Sequence, residues 1–182
     1  MAGLMVIGLS ASPAFAEEAF NGPHIGASVG WSGAKIGKGL DITANAGFDK
    51  QTNNGLVLGL EAEAGRTLSR TSASLAGPPV TNFTVRPSWN WSLSARAGVA
   101  ATPNTLLYLR GGYTGTRVKV SATGAPAIAA VAAANIAGTK SAAFVGAGVE
   151  QKLSGASRFR LEYRRATNGR KDRIMAGMVF GF

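Results

Sequence analysis

Acidic and basic side chains recur at every second position in several short stretches of this 182-residue chain. Residues two apart lie on the same face of an extended strand, so these groups would share one face if the stretches are strands. Carboxylates and guanidinium groups that meet in this way form charge-assisted hydrogen bonds. The candidates for such an ion-pair network are Glu61, Glu63, Arg96, Arg110, Glu150, Arg160, Glu162 and Arg164.

The single histidine, His24, is the other side chain that could do chemistry. As a general base it would need a serine nucleophile and a carboxylate that orients its ring. Ser28 shares its face two alternations away, but no Asp or Glu lies in the same stretch. We therefore expect no catalytic site, no metal site and no cofactor, haem included, and we expect His24 to be an imidazole inside the fold or at its end.

Alternation of apolar with polar or small residues recurs eight times along the chain, which is typical of strands with one apolar face. Tight turns rich in Gly, Asn, Pro and Ser separate some of these strands. Longer segments separate the others, and we expect the one at 68–86 to be irregular. The predicted strands lie at about 23–33, 40–49, 55–67, 87–100, 105–119, 141–152, 158–167 and 174–182.

The N-terminus indicates export. Residues 1–16 carry no charged side chain and combine an apolar run with Ala14-Phe15-Ala16, a pattern typical of a cleavage site. We expect a signal peptide over 1–16 and a single domain over 17–182. The formal net charge of +10 favours anionic partners, and export argues against nucleic acid as that partner. Because Cys is absent, the exported domain must hold its fold without disulfides.

Eight alternating strands form either a transmembrane barrel with its apolar face outward or a soluble barrel with that face inward. The polar faces favour the membrane barrel, because they combine Gly and Ser with both signs of charge, as a crowded polar interior does. If the N-terminus is periplasmic, the aromatic residues also fall into two groups at the strand ends, as expected at two membrane interfaces. The external group is Trp31, Trp89, Trp91 and Tyr113, and the periplasmic group is Phe48, Phe159, Phe180 and Phe182.

Five motifs carry a resemblance to a known family: Gly22-Pro-His-Ile-Gly26, Leu58-Gly-Leu-Glu-Ala-Glu63, Val145-Gly-Ala-Gly-Val-Glu150, Arg160-Leu-Glu-Tyr-Arg164 and the terminal Phe182. In order and spacing the chain resembles the porin-family outer-membrane β-barrel domain of alphaproteobacterial surface proteins, relatives of the OmpA/OmpX-type barrels. The resemblance implies an all-β fold, an eight-stranded antiparallel up-and-down barrel in the outer membrane of a Gram-negative envelope. It also implies a structural or surface-antigen role, and a terminal aromatic that the barrel-assembly machinery reads.

The inward charges leave more than one function open. An eight-stranded barrel is just wide enough for side chains to fill it, so the charged groups can plug the lumen as an ion-pair network. The protein would then serve envelope integrity and surface interaction. Alternatively, the same groups line a narrow pore for ions or small solutes. A lipid-A-modifying enzyme is the third function considered, and the missing triad argues against it.

Basic residues dominate the segments at the external strand ends. Arg pairs with phosphate bidentately, so we expect this rim to contact lipopolysaccharide phosphates in addition to the surrounding lipid; a merely solvated face is the alternative. No host or surface ligand is identifiable from the sequence. The rim residues are Lys35, Lys38, Arg66, Arg70, Arg86, Arg117, Lys119, Lys140, Arg165, Arg170, Lys171 and Arg173, and the acidic residues expected among them are Asp41 and Asp172.

Overall fold

The structure is a computed structural model that describes residues 19–34, 39–68, 71–75, 81–123, 138–167 and 171–182. Within these ranges every regular element is a β-strand. None of the described residues belongs to a helix long and apolar enough to cross a membrane. The strands are β1 (Gly22–Ala34), β2 (Gly39–Gln51), β3 (Leu56–Leu68), β4 (Thr71–Leu75), β5 (Thr81–Thr102), β6 (Thr105–Thr123), β7 (Gly138–Ser154), β8 (Ser157–Ala166) and β9 (Lys171–Gly181).

The sheet closes on itself into a barrel of eight strands. All pairings are antiparallel. Strands that follow one another in the chain pair with each other, except that β3 pairs with β5 instead of β4. The pairing of β1 with β9 closes the barrel. The short β4 pairs with β5 alone, along the part of β5 that extends beyond its pairing with β3, and is not one of the eight wall strands. Closure leaves the eight wall strands without an unpaired edge, which is the condition for a sheet surrounded by lipid. The predicted fold class is therefore confirmed.

The expectation of an irregular segment at 68–86 is wrong for the residues that the structure describes there. Residues 71–75 form β4, and 81–86 form the start of the long β5. The β5–β6 hairpin extends past the barrel wall, where Asn82 pairs with Thr123. Its register shifts between Pro87 and Asn90, a bulge of the kind that accommodates a residue without an amide hydrogen. Residues 124–137, between β6 and β7, lie outside the described residues.

The two ends of the barrel differ in how they connect the strands. At one end, here called the turn end, tight turns join β2 to β3, β5 to β6 and β7 to β8, and both Gly22 and Phe182 lie there. Gly55 and Gly155 adopt φ values of 80° and 54° in two of these turns, a conformation that favours glycine. At the opposite end, here called the loop end, the connections fall mostly outside the described residues.

Each wall strand presents its apolar residues outward and its polar residues inward. Leu60, Leu93 and Leu109 are 64%, 60% and 69% exposed on the outer face, whereas Glu61 is 2% exposed inside. The predicted aromatic groups also face outward. The group of Trp31, Trp89, Trp91 and Tyr113 lies toward the loop end, and the group of Phe48, Phe159, Phe180 and Phe182 lies at the turn end. An apolar belt between aromatic girdles is the outer surface of a membrane barrel.

Candidate functional site

The barrel interior is filled by polar and charged side chains that point inward from the eight wall strands. Six carboxylates and six guanidinium groups are buried there, each at most 8% exposed. They are Asp41, Asp49, Glu61, Glu63, Glu150, Glu162, Arg96, Arg110, Arg158, Arg160, Arg164 and Arg173.

Arg160 on β8 lies at the centre of this network. Its Nη1 and Nη2 donate to the two carboxylate oxygens of Glu61 on β3, at 2.8 and 2.7 Å. Its Nε donates to Oε1 of Glu150 on β7 at 2.8 Å. Because β3 and β8 lie on opposite sides of the barrel, the bidentate pair with Glu61 crosses the lumen.

Arg164 makes a second crossing nearer the loop end. Its Nη1 and Nη2 each lie 2.5 Å from an oxygen of Glu63 on β3, and its Nε pairs with Glu162 on its own strand. Nη1 of Arg110, on β6, lies 2.9 Å from Glu61, 3.1 Å from Glu63 and 3.2 Å from Glu162. Arg110 therefore links the two crossings into one network.

A third group of charges lies nearer the turn end. Nε of Arg96, on β5, donates to Asp49 Oδ1 on β2 at 2.8 Å, and Arg96 also pairs with Glu150. Arg158 Nη1 lies 3.2 Å from Glu150 Oε2 and 3.7 Å from Asp49 Oδ2. Each of these carboxylates thus contacts more than one cation, which offsets the desolvation of buried charge.

His24 lies between two carboxylates of this network. Its Nδ1 is 3.1 Å from Asp49 Oδ2, and its Nε2 is 3.0 Å from Glu61 Oε2. No Asp or Glu lies on the strand of His24, as the sequence analysis noted, but Asp49 and Glu61 reach it from β2 and β3. Both ring nitrogens face carboxylates, so neither is available to accept a proton from the hydroxyl of Ser28. The arrangement is that of a structural imidazole.

The turn end of the lumen is closed by apolar side chains. Phe20, which precedes β1, is completely buried against Val57, Leu106 and Tyr108. Its backbone N–H donates to Gln51 Oε1 at 3.0 Å, and the guanidinium of Arg158 lies 5.6 Å from the centre of its ring. These contacts place an apolar layer between the charged network and the turn end.

The loop end of the lumen corrects two expectations about the rim. Arg173 and Asp41 were expected among the external residues, but they are 7% and 0% exposed, with Arg173 Nε 3.1 Å from Asp41 Oδ2. Thr67 donates a hydrogen bond to the same carboxylate. Strand β9 begins at Lys171, so Arg173 already points into the barrel. A cavity of about 40 Å³ beside Arg173 and Thr114 has room for only a few water molecules.

The interior charges balance. It holds six of the chain's nine acidic residues and six of its nineteen Lys and Arg residues. Counted over carboxylates and guanidinium groups alone, the interior has no net charge, and the +10 of the chain, in which His is counted as neutral, is carried by the remaining Lys, Arg, Asp and Glu residues. This separation of a neutral interior from a basic exterior is a property of the folded barrel.

All eight side chains predicted to form the ion-pair network lie together in the interior. Within the network Arg96 contacts Asp49 and Glu150. The sequence analysis missed the participation of Asp49, as well as Tyr108, whose hydroxyl donates to Glu162 Oε2 at 2.6 Å. Their positions on the polar faces of β2 and β6 were the available signal.

The rim residues are only partly described. Arg66, Arg117, Lys119, Lys140 and Arg165 are exposed at the loop end. Arg86 and Lys171 lie in β5 and β9, and the structure describes their backbone only. Lys35, Lys38, Arg70 and Arg170 fall outside the described residues.

A closed antiparallel barrel with an apolar exterior and a charged interior is the architecture of outer-membrane barrels. Residues 2–180 match the family of outer membrane protein beta-barrel domains. The chain belongs to this family. As an outer-membrane barrel it has short turns on the periplasmic side, so the turn end is periplasmic and the loop end external.

Solved structures show the same fold. The crystal structure of Ail, the attachment invasion locus protein of Yersinia pestis, in complex with the heparin analogue sucrose octasulfate is 13% identical, with a TM-score of 0.55 over 89% of this chain and 97% of that chain. Ail without this ligand gives a TM-score of 0.54 at the same identity and coverage. The designed barrel TMB2.3 is 17% identical, with a TM-score of 0.50 over 89% and 94% of the two chains. No curated protein sequence matches the chain.

Within the described part of the barrel, no group of three or more His, Cys, Asp or Glu side chains is arranged to hold a metal ion. The carboxylates of the interior instead face guanidinium groups.

Proposed function

We propose that this outer-membrane barrel is a non-enzymatic protein of envelope integrity and surface interaction, with a lumen plugged by ion pairs and an external rim that contacts lipopolysaccharide. The observation that carries the proposal is the neutral interior, in which six guanidinium groups face six carboxylates. A conducting pore of this diameter would need those groups to face water, whereas here they face one another.

The plug is supported at three levels of the lumen. Phe20 and its apolar neighbours close the periplasmic end, and Arg160–Glu61 and Arg164–Glu63 cross the middle. Arg173 and Asp41 pair near the external end. Open water-filled channels belong to barrels of about sixteen strands or more.

Conductance in planar bilayers tests the plug against the alternative, a narrow porin for ions or small solutes. The unsubstituted barrel should show no stepwise conductance above that of a protein-free bilayer. Reproducible single-channel steps from it would favour the porin. The variant Arg110→Ala supplies a second readout, because it removes the group that contacts Glu61, Glu63 and Glu162.

Arg110→Ala should lower thermal stability if Arg110 is structural. The control is Arg165→Ala, which removes an exposed guanidinium 3.8 Å from Asp172. An Arg110→Ala barrel with unchanged thermal stability and raised conductance would identify Arg110 as a pore-lining group and overturn the plug.

The external rim is proposed to bind lipopolysaccharide phosphates. Five rim cations are exposed at the loop end, and among the described residues only Arg165 has a carboxylate, Asp172, within ion-pair distance. Reversing Arg66, Arg117, Lys119, Lys140 and Arg165 together to Glu should reduce the lipopolysaccharide that co-purifies with the barrel. Retention equal to that of the unsubstituted protein would contradict the proposal.

Two further features belong to the same proposal. Phe182 is 75% exposed at the end of the closing strand, where it is accessible to the barrel-assembly machinery. If that machinery recognises it, Phe182→Ala should slow insertion into vesicles that contain the machinery but not folding into detergent micelles. Equal slowing in both would mean that Phe182 acts only through stability. Residues 1–16 are proposed as a signal peptide, so sequencing of the protein from outer membranes should begin at Glu17; a chain beginning at Met1 would contradict this.

A further inference from the structure

The outward-facing cations at the external end are distributed unevenly around the barrel. Arg165, on β8, lies 3.8 Å from Asp172, which also accepts a hydrogen bond from Tyr163. Arg66 on β3 and Arg117 on β6 have no carboxylate within ion-pair distance among the described residues. Among the outward-facing arginines whose side chains the structure describes, the uncompensated charge therefore lies on the β3–β5–β6 side.

The strand register brings these two arginines level with an exposed indole. Asn90 of β5 pairs with both Gly65 of β3 and Thr116 of β6. Next toward the external end come Arg66, Trp89 and Arg117 on three neighbouring strands, with Trp89 in the bulge between Pro87 and Asn90. The guanidinium of Arg117 is 5.8 Å from the centre of the Trp89 ring, and Trp89 is 43% exposed. Since strands are about 4.8 Å apart, the two arginine backbones are separated by about 10 Å.

Small residues leave a path down the wall below this row. Trp91 pairs with Ala64 on one side and Gly115 on the other, and its ring covers Gly115 so closely that a Cβ there would collide with it. The ring of Tyr113 lies 6.3 Å from that of Trp91. The indole of Trp91 therefore packs against the barrel wall over Gly115 instead of projecting into the lipid.

An apolar groove lies on the outer wall on the periplasmic side of Trp91. It has a volume of about 700 Å³, within the range of about 300–1,000 Å³ typical of ligand sites. Alanine and glycine residues form the floor of the groove, and larger leucines form its sides. The outward-facing residues of the groove include Leu58, Leu60, Ala95, Ala97, Leu109 and Gly111.

The groove lies at the depth that an acyl chain anchored at the arginine row would reach. Leu60, Ala95 and Gly111 are paired neighbours, and each lies six residues below Arg66, Trp89 and Arg117 on its own strand. Six residues span about 20 Å along a strand, which is about 15 Å along the membrane normal at a tilt of about 40°. This is about half of the hydrocarbon thickness of about 30 Å, the depth of one leaflet.

We propose that the outer wall of β3, β5 and β6 is a specific site for one lipid A group. Arg66 and Arg117 bind two phosphates of its sugar headgroup on either side of Trp89, and one acyl chain runs past Trp91 into the groove. The inference rests on the proposed contact with lipopolysaccharide and assigns that contact to a place. Two arginines on strands about 10 Å apart, one on either side of Trp89, favour a headgroup with two phosphates over a phospholipid with one.

The headgroup half of the site is tested by matched charge reversals in the full-length barrel in detergent, with lipid A as the titrated ligand. The variant R66E/R117E should bind lipid A at least about tenfold more weakly, since each arginine loses a charge-assisted contact. The control K152E/R165E makes the same change in net charge away from the site, since Lys152 lies at the periplasmic end of β7 and Arg165 on β8, and it should stay within about twofold of the unsubstituted barrel. Equal losses in the two variants would overturn the site.

The chain half of the site is tested by filling the groove. A Cβ at Gly111 would have no neighbour closer than 4.0 Å, so Gly111→Phe fits without displacing the wall. It should weaken the binding of lipid A but leave the binding of the deacylated headgroup unchanged, whereas Ala27→Phe, on the outward face of β1, should change neither. If Gly111→Phe leaves lipid A binding intact, or if phosphatidylglycerol competes as well as lipid A does, the assignment to lipid A is wrong.

The five-residue reversal distinguishes failure of this inference from failure of the proposed function. If that variant loses lipopolysaccharide while R66E/R117E and K152E/R165E behave alike, the rim binds lipopolysaccharide diffusely and only the wall site is refuted. If the five-residue variant also retains lipopolysaccharide, both proposals fail. Each variant is first shown to be folded by its altered migration in unboiled electrophoresis.

Discussion

Replacement of Arg160 by methionine is the sharpest test of the interior network. Arg160 is 2% exposed, and it makes three hydrogen bonds of 2.7 to 2.8 Å with Glu61 and Glu150. Methionine keeps an unbranched chain of similar length but removes the charge and every donor. We expect the free energy of unfolding to fall by about 3–5 kcal/mol, the cost of removing one partner of a buried ion pair.

The loss should lie toward the lower end of that range. After the substitution Glu61 still has Arg110 at 2.9 Å, and Glu150 still has Arg158 at 3.2 Å. The interior would nevertheless contain six carboxylates and five guanidinium groups. Adding Glu150→Gln restores equal numbers, so the double variant should be more stable than the sum of the two single losses predicts, by at least about 1 kcal/mol.

The measurement is equilibrium unfolding by urea in phospholipid vesicles, followed by tryptophan emission and by migration in unboiled electrophoresis. Arg165→Met is the matched control, because this guanidinium is 62% exposed and pairs with Asp172 at 3.8 Å. Its loss should cost at most about 1 kcal/mol. A change of less than about 0.5 kcal/mol for Arg160→Met would mean that water solvates the interior carboxylates, and the argument for a plugged lumen would be lost.

Three other outcomes follow from the same architecture. Leu60→Arg, in the middle of the apolar belt, should lower the free energy of unfolding by about 2–4 kcal/mol in the same urea titration. Leu153→Arg, at the periplasmic end of β7, should lower it by at most about 1 kcal/mol. Equal losses would contradict the position of the belt. Gly148→Val should cost about 1–3 kcal/mol, because the Tyr108 ring occupies the space that its Cβ needs. Gly111→Val, at a position where that space is open, should leave the free energy of unfolding nearly unchanged. A larger loss for Gly111→Val than for Gly148→Val would contradict the position of Gly148 against Tyr108 inside the barrel. The unboiled protein should migrate anomalously in electrophoresis and normally after boiling, whereas identical migration would argue against a closed barrel.

The direction of each side chain was predictable from sequence because the period of a strand does not depend on its partners. Leu58 and Leu60 face outward and Glu61 and Glu63 face inward, as their alternation predicts. The same reasoning identified the eight interior charges before any strand pairing was known. The resemblance to alphaproteobacterial proteins in particular stays a prediction.

The ends of the strands were less predictable from sequence. The alternation of apolar and polar residues is lost near these ends, although the strands remain paired there. Residues 71–75 and 81–86 pair in a hairpin beyond the barrel wall, although the sequence there suggested an irregular segment. Arg173 was expected at the rim for a similar reason. It lies inside because β1 and β9 remain paired up to Ala34 and Lys171, which extends the lumen past its position.

The sequence by itself determined that this chain forms a closed barrel with charges inside and apolar groups outside, because strand length, period and composition are local properties. Only the tertiary structure decided which charges meet. Arg164 and Glu63 are 101 residues apart, and Arg96 reaches Asp49 across 47 residues, so the contacts depend on strand register and on the width of the barrel. The closure of the periplasmic end by Phe20 and the balance of charge in the interior likewise exist only after every strand has found its register, since a one-residue slip would turn each inward group to the lipid.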